Sequence, residues 1–175
     1  MTAGQVILLL IMLAVFFYGS ILLYAYFHVL EFHSRLKKRT EAISMLLNEK
    51  AEVLLALYDI FKKEGVIFTK EDDIEFALAR SLSFEKPNAK LIQDAVALLK
   101  RCQSIGNFLS QNNAWATKTE EYPPLVDALR DIDNTYRQIS AAYNGDVTAY
   151  NYWIKIPLCG WLPFLTGFRK QEYLA

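Results

Sequence analysis

Residues 143–151 read YNGDVTAYN. Tyr-Asn occurs there twice, seven positions apart, and the first copy runs into Gly145. Asn-Gly is the strongest short hairpin signal, whereas a pair that returns after seven residues is what a helix does when it shows one face twice. The flanks decide between them. Ile132, Tyr136, Ile139, Tyr143, Val147, Tyr150 and Ile154 follow one another at steps of four or three, and no period-two alternation lies on either side of Gly145. The spacing predicts a helix over 125–156, with Gly145 inside it at a cost of about 1 kcal/mol against alanine. On this reading Gly145 is a close-packing point between helices, and Pro157 ends the helix. Asn144 and Asn151 lie beside the seam with Thr148 between them. They either fix register between helices or form a ladder facing a ligand.

The same count, carried upstream, yields three more helices. Over 31–64 the apolar positions are Leu36, Ile43, Leu47, Leu54, Leu57 and Phe61, at steps of three, four or seven, and Gly65 stops the run. Thr69 then offers a capping hydroxyl with Asp72 three residues on, and Glu71, Asp72, Asp73 and Glu75 crowd a first turn whose dipole favours negative charge. A metal site is the competing reading of those acids, but neighbours on one turn point around the axis rather than converge on an ion. The second helix carries Ile74, Leu78 and Leu82 and is expected to end near Phe84, because Pro87 forbids a smooth continuation. Pro87 suits the first turn of a third helix with Leu91, Ala95, Leu98, Cys102, Ile105 and Leu109 on its seam. Cys102 is thereby read as a small core residue. The polar stretch QNNAWATKTEEYPP, 111–124, makes the last connection.

Residues 1–30 carry no formal charge. The apolar run over 6–30 is roughly 37 Å of helix at about 1.5 Å per residue, more than the roughly 30 Å hydrocarbon layer. A cleaved signal peptide would place basic residues before the run, and here they come after it. Tyr18, Tyr24, Tyr26 and His28 suit an interfacial belt, and Arg35, Lys37, Lys38 and Arg39 follow directly. Basic flanks stay on the cytoplasmic side, so the expectation is a single-pass protein of the inner (plasma) membrane with its amino terminus outside and its bundle cytoplasmic. The same cations can meet anionic lipid at about 1 kcal/mol each. The uncharged stretch IPLCGWLPFLTGF, 156–168, is broken by Pro157, Gly160 and Pro163 and is too short to span. It either caps the bundle or presses Trp161, Phe164 and Phe168 into the bilayer interface. The fold class read from these patterns is all-α, a single N-terminal transmembrane helix followed by an antiparallel four-helix bundle. Its parts are an anchor at 1–30, a bundle at 31–156 and an apolar tail at 157–175.

Lys plus Arg and Asp plus Glu each number 19, without a face-wide positive field, so no nucleic-acid partner is expected. Cys102 and Cys159, the two cysteines, lack the paired spacing of a zinc or redox site and are read as free thiols, which suits the cytoplasm. His28 and His33 are the two histidines, HVLEFH is not a zinc-protease motif, and no glycine-rich phosphate loop occurs. The chain is therefore expected to be non-catalytic, with no metal and no cofactor. Two functions fit. One is a membrane-tethered scaffold that binds protein partners through aromatic surface, including Trp115, Trp153 and Trp161. The other is a bundle that engages membrane lipid and shapes or organises the bilayer.

The carboxyl-terminal third resembles the LemA family of bacterial membrane proteins. The residues that carry the resemblance are EYPPL at 121–125, the repeat YNGDVTAYN followed by Ile156-Pro157, and the GF and EY of GFRKQEYL at 167–174. Ala79-Arg80 and the basic residues after the apolar run are weaker echoes. The family's Ala-Arg pair ahead of the first Tyr-Asn is Ala141-Ala142 here. The resemblance implies an antiparallel four-helix bundle on an amino-terminal anchor and no established catalysis. It also implies roles, in some relatives, in membrane organisation or in company with membrane proteases. It marks Tyr122, Pro123, Tyr143, Asn144, Tyr150, Asn151 and Pro157 as family-motif positions.

Overall fold

The structure, a computed structural model, describes residues 3–85, 87–155 and 167–174. Among these residues every regular element is helical: α1 (Ala3–Lys63), α2 (Lys70–Arg80), α3 (Ala89–Asn112) and α4 (Tyr122–Lys155), with a 3-10 turn at Ala116–Lys118. The four helices pack against one another, as the apolar periodicity requires. Two compact units result: Met1–Lys37 with Asn144–Glu172, and Lys38–Tyr143 with Tyr173–Ala175. Both α1 and α4 contribute to each.

The core of the second unit begins on α1, where Ile43, Leu47, Leu54, Leu57 and Phe61 are buried along the expected stripe. Gly65 ends α1 at φ +78°, a left-handed conformation that costs a residue with a Cβ but not glycine. The Gly65 N–H donates to the Lys62 carbonyl and the Val66 N–H to the Phe61 carbonyl, both at 3.0 Å, which is the Schellman pairing. Val66 then packs on Phe61 and Leu109. Thr69 and Asp72 close a reciprocal capping box, each side chain taking the other's backbone N–H at 3.1 Å.

α2 ends at Arg80 rather than near Phe84, because the Ser81 hydroxyl bonds the Leu78 carbonyl and its N–H closes the last turn. Leu82 therefore never joins a stripe, and α2 buries Phe76 and Ala79 while Ile74 and Leu78 stay exposed. The aromatic cluster turns this face inward: Phe76 stacks on Tyr58 at 4.5 Å and meets Phe68 at 6.0 Å. α3 starts after Pro87, with Asn88 as its cap accepting the Leu91 N–H at 2.8 Å. Its buried seam keeps Ala95, Leu98, Cys102 and Leu109 and adds Ile92 and Leu99.

α4 runs without a break through Asn144-Gly145, so the helix reading of the Tyr-Asn repeat holds. It starts at Tyr122, three positions before the expected Leu125, with Pro123 and Pro124 in the first turn where no N–H is needed. Gly145, however, is not a packing point: it is exposed, and a Cβ there would meet nothing within 4 Å. At about 100° per residue it lies on the side of α4 opposite Tyr143 and Val147, which face the core.

Candidate functional site

In the first unit α1 is long and apolar enough to cross a membrane, and none of its most apolar 18-residue window is buried. Residues 3–18, 20 and 21 are all exposed. From Leu22 onward one face of the helix is covered: Ala25 and Val29 are each 1% exposed, and Leu22, Tyr26 and Trp153 pack on Ala25, while Leu23, Tyr24 and Phe27 on the other face stay exposed. The bare part, 3–21, is roughly 28 Å long at about 1.5 Å per residue, close to the roughly 30 Å of a hydrocarbon layer.

An aromatic collar follows the bare part. His28 stacks on Trp153 with centroids at 5.0 Å and planes 12° apart, and meets Tyr24 edge-on at 4.4 Å. Its Nδ1 lies 3.7 Å from Glu31, which also pairs with Arg35. The Arg35 guanidinium sits 5.5 Å over the Phe32 ring. Of the four expected lipid-facing cations, Arg35 is thus engaged locally, Lys37 and Lys38 are exposed, and Arg39 is half-buried.

Asn151 does something the sequence did not disclose. Its buried side-chain amide donates to the Gln171 carbonyl at 2.9 Å and accepts the Gln171 N–H at 3.0 Å, so one asparagine pairs both polar groups of a tail residue. Phe168, read from the sequence as either capping the bundle or meeting the bilayer interface, lies against the rings of His33, Tyr26 and Tyr150 at 5.7 to 6.4 Å. Tyr150 is fully buried with no hydrogen-bond partner for its hydroxyl among the described residues. Burial raises its pKa, partly offset by the nearby Gln171 side chain. Tyr143 is buried and Asn144 half-buried; Pro123 is exposed. Pro157, Cys159, Trp161 and Phe164 lie outside the described residues.

The second unit contains a polar ring that spans three helices. Lys50 on α1 is 6% exposed, and its Nζ donates to Gln103 Oε1 on α3 at 2.7 Å and Asp133 Oδ1 on α4 at 2.6 Å. Gln103 Nε2 closes the ring on Asp133 Oδ2 at 3.0 Å. Burial pushes the Asp133 carboxyl up, but the Lys50 and Gln103 bonds outweigh it and hold the group below its ordinary 3.8. Beside the ring opens a groove of about 340 Å³ between α3 and α4, floored by Leu54, Leu57 and Phe61 of α1. Tyr122 lines it and meets the Phe61 ring at 5.9 Å.

Three of the four acids of α2 take separate partners. Asp72 caps its helix, Asp73 takes the Tyr58 hydroxyl and lies 3.3 Å from Lys62, and Glu75 meets Arg101 at 3.0 Å. The Tyr58 bond, then Lys62, lowers the Asp73 pKa, while burial and that same bond raise the Tyr58 phenol. Cys102 is fully buried, and burial first, then Glu75, pushes its thiol up to about 11. A thiol held protonated in this way is a packing group, not a nucleophile.

No protein family, curated protein or solved structure matches the chain.

Proposed function

We propose that the protein is a non-catalytic, membrane-anchored helical bundle that binds or organises protein partners at the cytoplasmic face of a bacterial inner membrane. The observation that carries this reading is the bare apolar stretch of α1, 3–21, in a chain whose described residues otherwise fold into packed helices with their own core. An exposed apolar surface of that length needs an apolar surround. The inert Cys102 supports positioning rather than chemistry as its work. The LemA resemblance supports a membrane protease among the partners. Phe108, Trp115 and Tyr152 are exposed aromatic groups outside the apolar anchor that a partner can reach. Crosslinking in native membranes followed by co-purification tests the reading. A reproducible protein partner lost on replacing Trp115 with alanine is the expected result, and recovery of the chain alone counts against it.

A second reading has one specific support, the exposed Lys37 and Lys38 directly after the aromatic collar. They would engage anionic lipid and give the bundle a part in membrane organisation. Flotation of a chain lacking residues 1–21 with anionic and neutral vesicles separates the two readings. Retention that needs anionic lipid and falls with Lys37→Gln and Lys38→Gln favours lipid, and absence of flotation favours protein partners.

A further inference from the structure

We propose that the groove between α3 and α4 of the second unit binds a small anionic amphiphile, an aryl or short acyl carboxylate. Its volume of about 340 Å³ lies in the lower part of the range of small-molecule sites, roughly 300–1,000 Å³, and holds a ring system or a short chain but not the two chains of a bilayer lipid. The floor supplies apolar contact through Leu54, Leu57 and Phe61. The rim sets the sign of charge. Asp133 is the one acid among the lining residues, and it is already neutralised by Lys50. Arg130 and Arg137 stand on the α4 side, seven residues apart and therefore on one helix face. Arg130 lies 3.9 Å from Asp127 with both side chains 73% exposed, and Arg137 acts on Asp133 through its charge without a direct ion pair among the described residues, so with Lys50 the groove carries more positive than negative charge. A groove with an apolar floor, a neutralised acid and two guanidinium groups at its edge favours a carboxylate on an apolar body.

Gly106 keeps the groove open. It stands in the α3 wall, in the middle of a helix where glycine costs about 1 kcal/mol against alanine, and a Cβ there would meet nothing within 4 Å. Packing does not demand glycine at this position. A bulky side chain would enter the groove without straining the backbone, because φ is not positive there. The inference goes beyond partner recruitment and stands whether or not the protein recruits one, since groove and apolar anchor belong to different units.

The test is calorimetric titration of the full chain in lipid nanodiscs with naphthalene-2-carboxylate, its neutral carboxamide as the matched probe and empty nanodiscs as the blank. Saturable binding of the carboxylate is expected, with the carboxamide at least about tenfold weaker and Arg137→Gln weakening the carboxylate about tenfold, the size of one charge-assisted contact. Gly106→Phe should abolish binding while circular dichroism stays helical, and Gly106→Leu serves if the larger ring disturbs the fold. Absence of saturable binding to the native chain overturns the proposal. Equal affinity for the charged and neutral probes, or binding that survives both Gly106 replacements, overturns it as well.

Discussion

Lys50 occupies a slot that its neighbours would give to leucine. The large aliphatic and aromatic residues of the α1 seam step through 43, 47, 54, 57 and 61, and the alternation of four and three that joins them falls on position 50, beside the buried Ala51. A lysine in a seam slot is the signal that sequence reading could have used to find the polar ring. The identities of Gln103 and Asp133 as its partners required the packed helices. Replacing Lys50 with methionine leaves Asp133 and Gln103 without their donor, and the expected loss is about 2–3 kcal/mol in chemical unfolding, because Asp133 keeps 30% of its side chain exposed. Lys50→Met with Asp133→Leu should recover most of it, since removing a buried pair together is far less costly than breaking it. The sign of the pH dependence follows from the lowered Asp133 pKa. The pair's contribution is fully present above the unfolded value near 3.8 and is lost as pH falls through the lower folded value. The native chain should therefore lose more stability than Asp133→Asn between pH 5 and pH 2, read by urea unfolding at each pH. Asn151 was legible as a residue beside the seam but not as a clamp, because its partner Gln171 is twenty positions away in a segment without periodicity.

At the level of elements, Gly65 and Gly145 separate two uses of glycine that look alike in one dimension. Gly65 supplies a positive φ that ends α1, and Gly65→Ala should lower stability by about 1 kcal/mol through that strain alone, since no neighbour lies within 4 Å of the added methyl. Gly145 sits in a regular, exposed turn of α4, so Gly145→Ala should raise stability by about 1 kcal/mol. Thermal unfolding of the two variants side by side reads both signs, and matching signs would refute this division. Helix existence and order were legible because the four-and-three spacing persists along α3 and α4. The ends and faces of α2 were not. Eleven residues give the stripe Ile74, Leu78 only two members, and one aromatic at Phe76 outweighs it once Tyr58 and Phe68 are near. Ser81 and Asn88, whose side chains bond backbone groups at the end of α2 and the start of α3, carried the boundary information that the sequence reading assigned to Pro87.

For the whole molecule, composition showed an apolar run over 6–30 but not where that run stops needing an apolar surround. Hydropathy counts side chains, whereas the end of the bare stretch at residue 21 is set by Trp153 and by whatever else the fold brings onto Leu22, Ala25 and Val29. This division gives a prediction that length alone does not. A chain lacking residues 1–21 sheds the most exposed apolar stretch and keeps the covered face from Leu22 onward, so it should be released from the membrane fraction more readily than the full chain, keep its helical circular dichroism and unfold cooperatively. A chain lacking residues 1–30 also loses Ala25 and Val29, both 1% exposed, together with Leu22, Tyr26 and the Tyr24 and His28 faces that cover Trp153. Full burial of such a side chain is worth about 1.5–3 kcal/mol for the larger members, and several together approach the roughly 5–15 kcal/mol that holds a domain folded. The longer deletion should therefore aggregate or lose its cooperative transition, and its tryptophan emission should shift to the red as Trp153 meets water. Size-exclusion chromatography, thermal unfolding and fluorescence of the two truncated chains make the comparison. Identical behaviour would mean that residues 22–30 belong to the anchor and not to the folded unit.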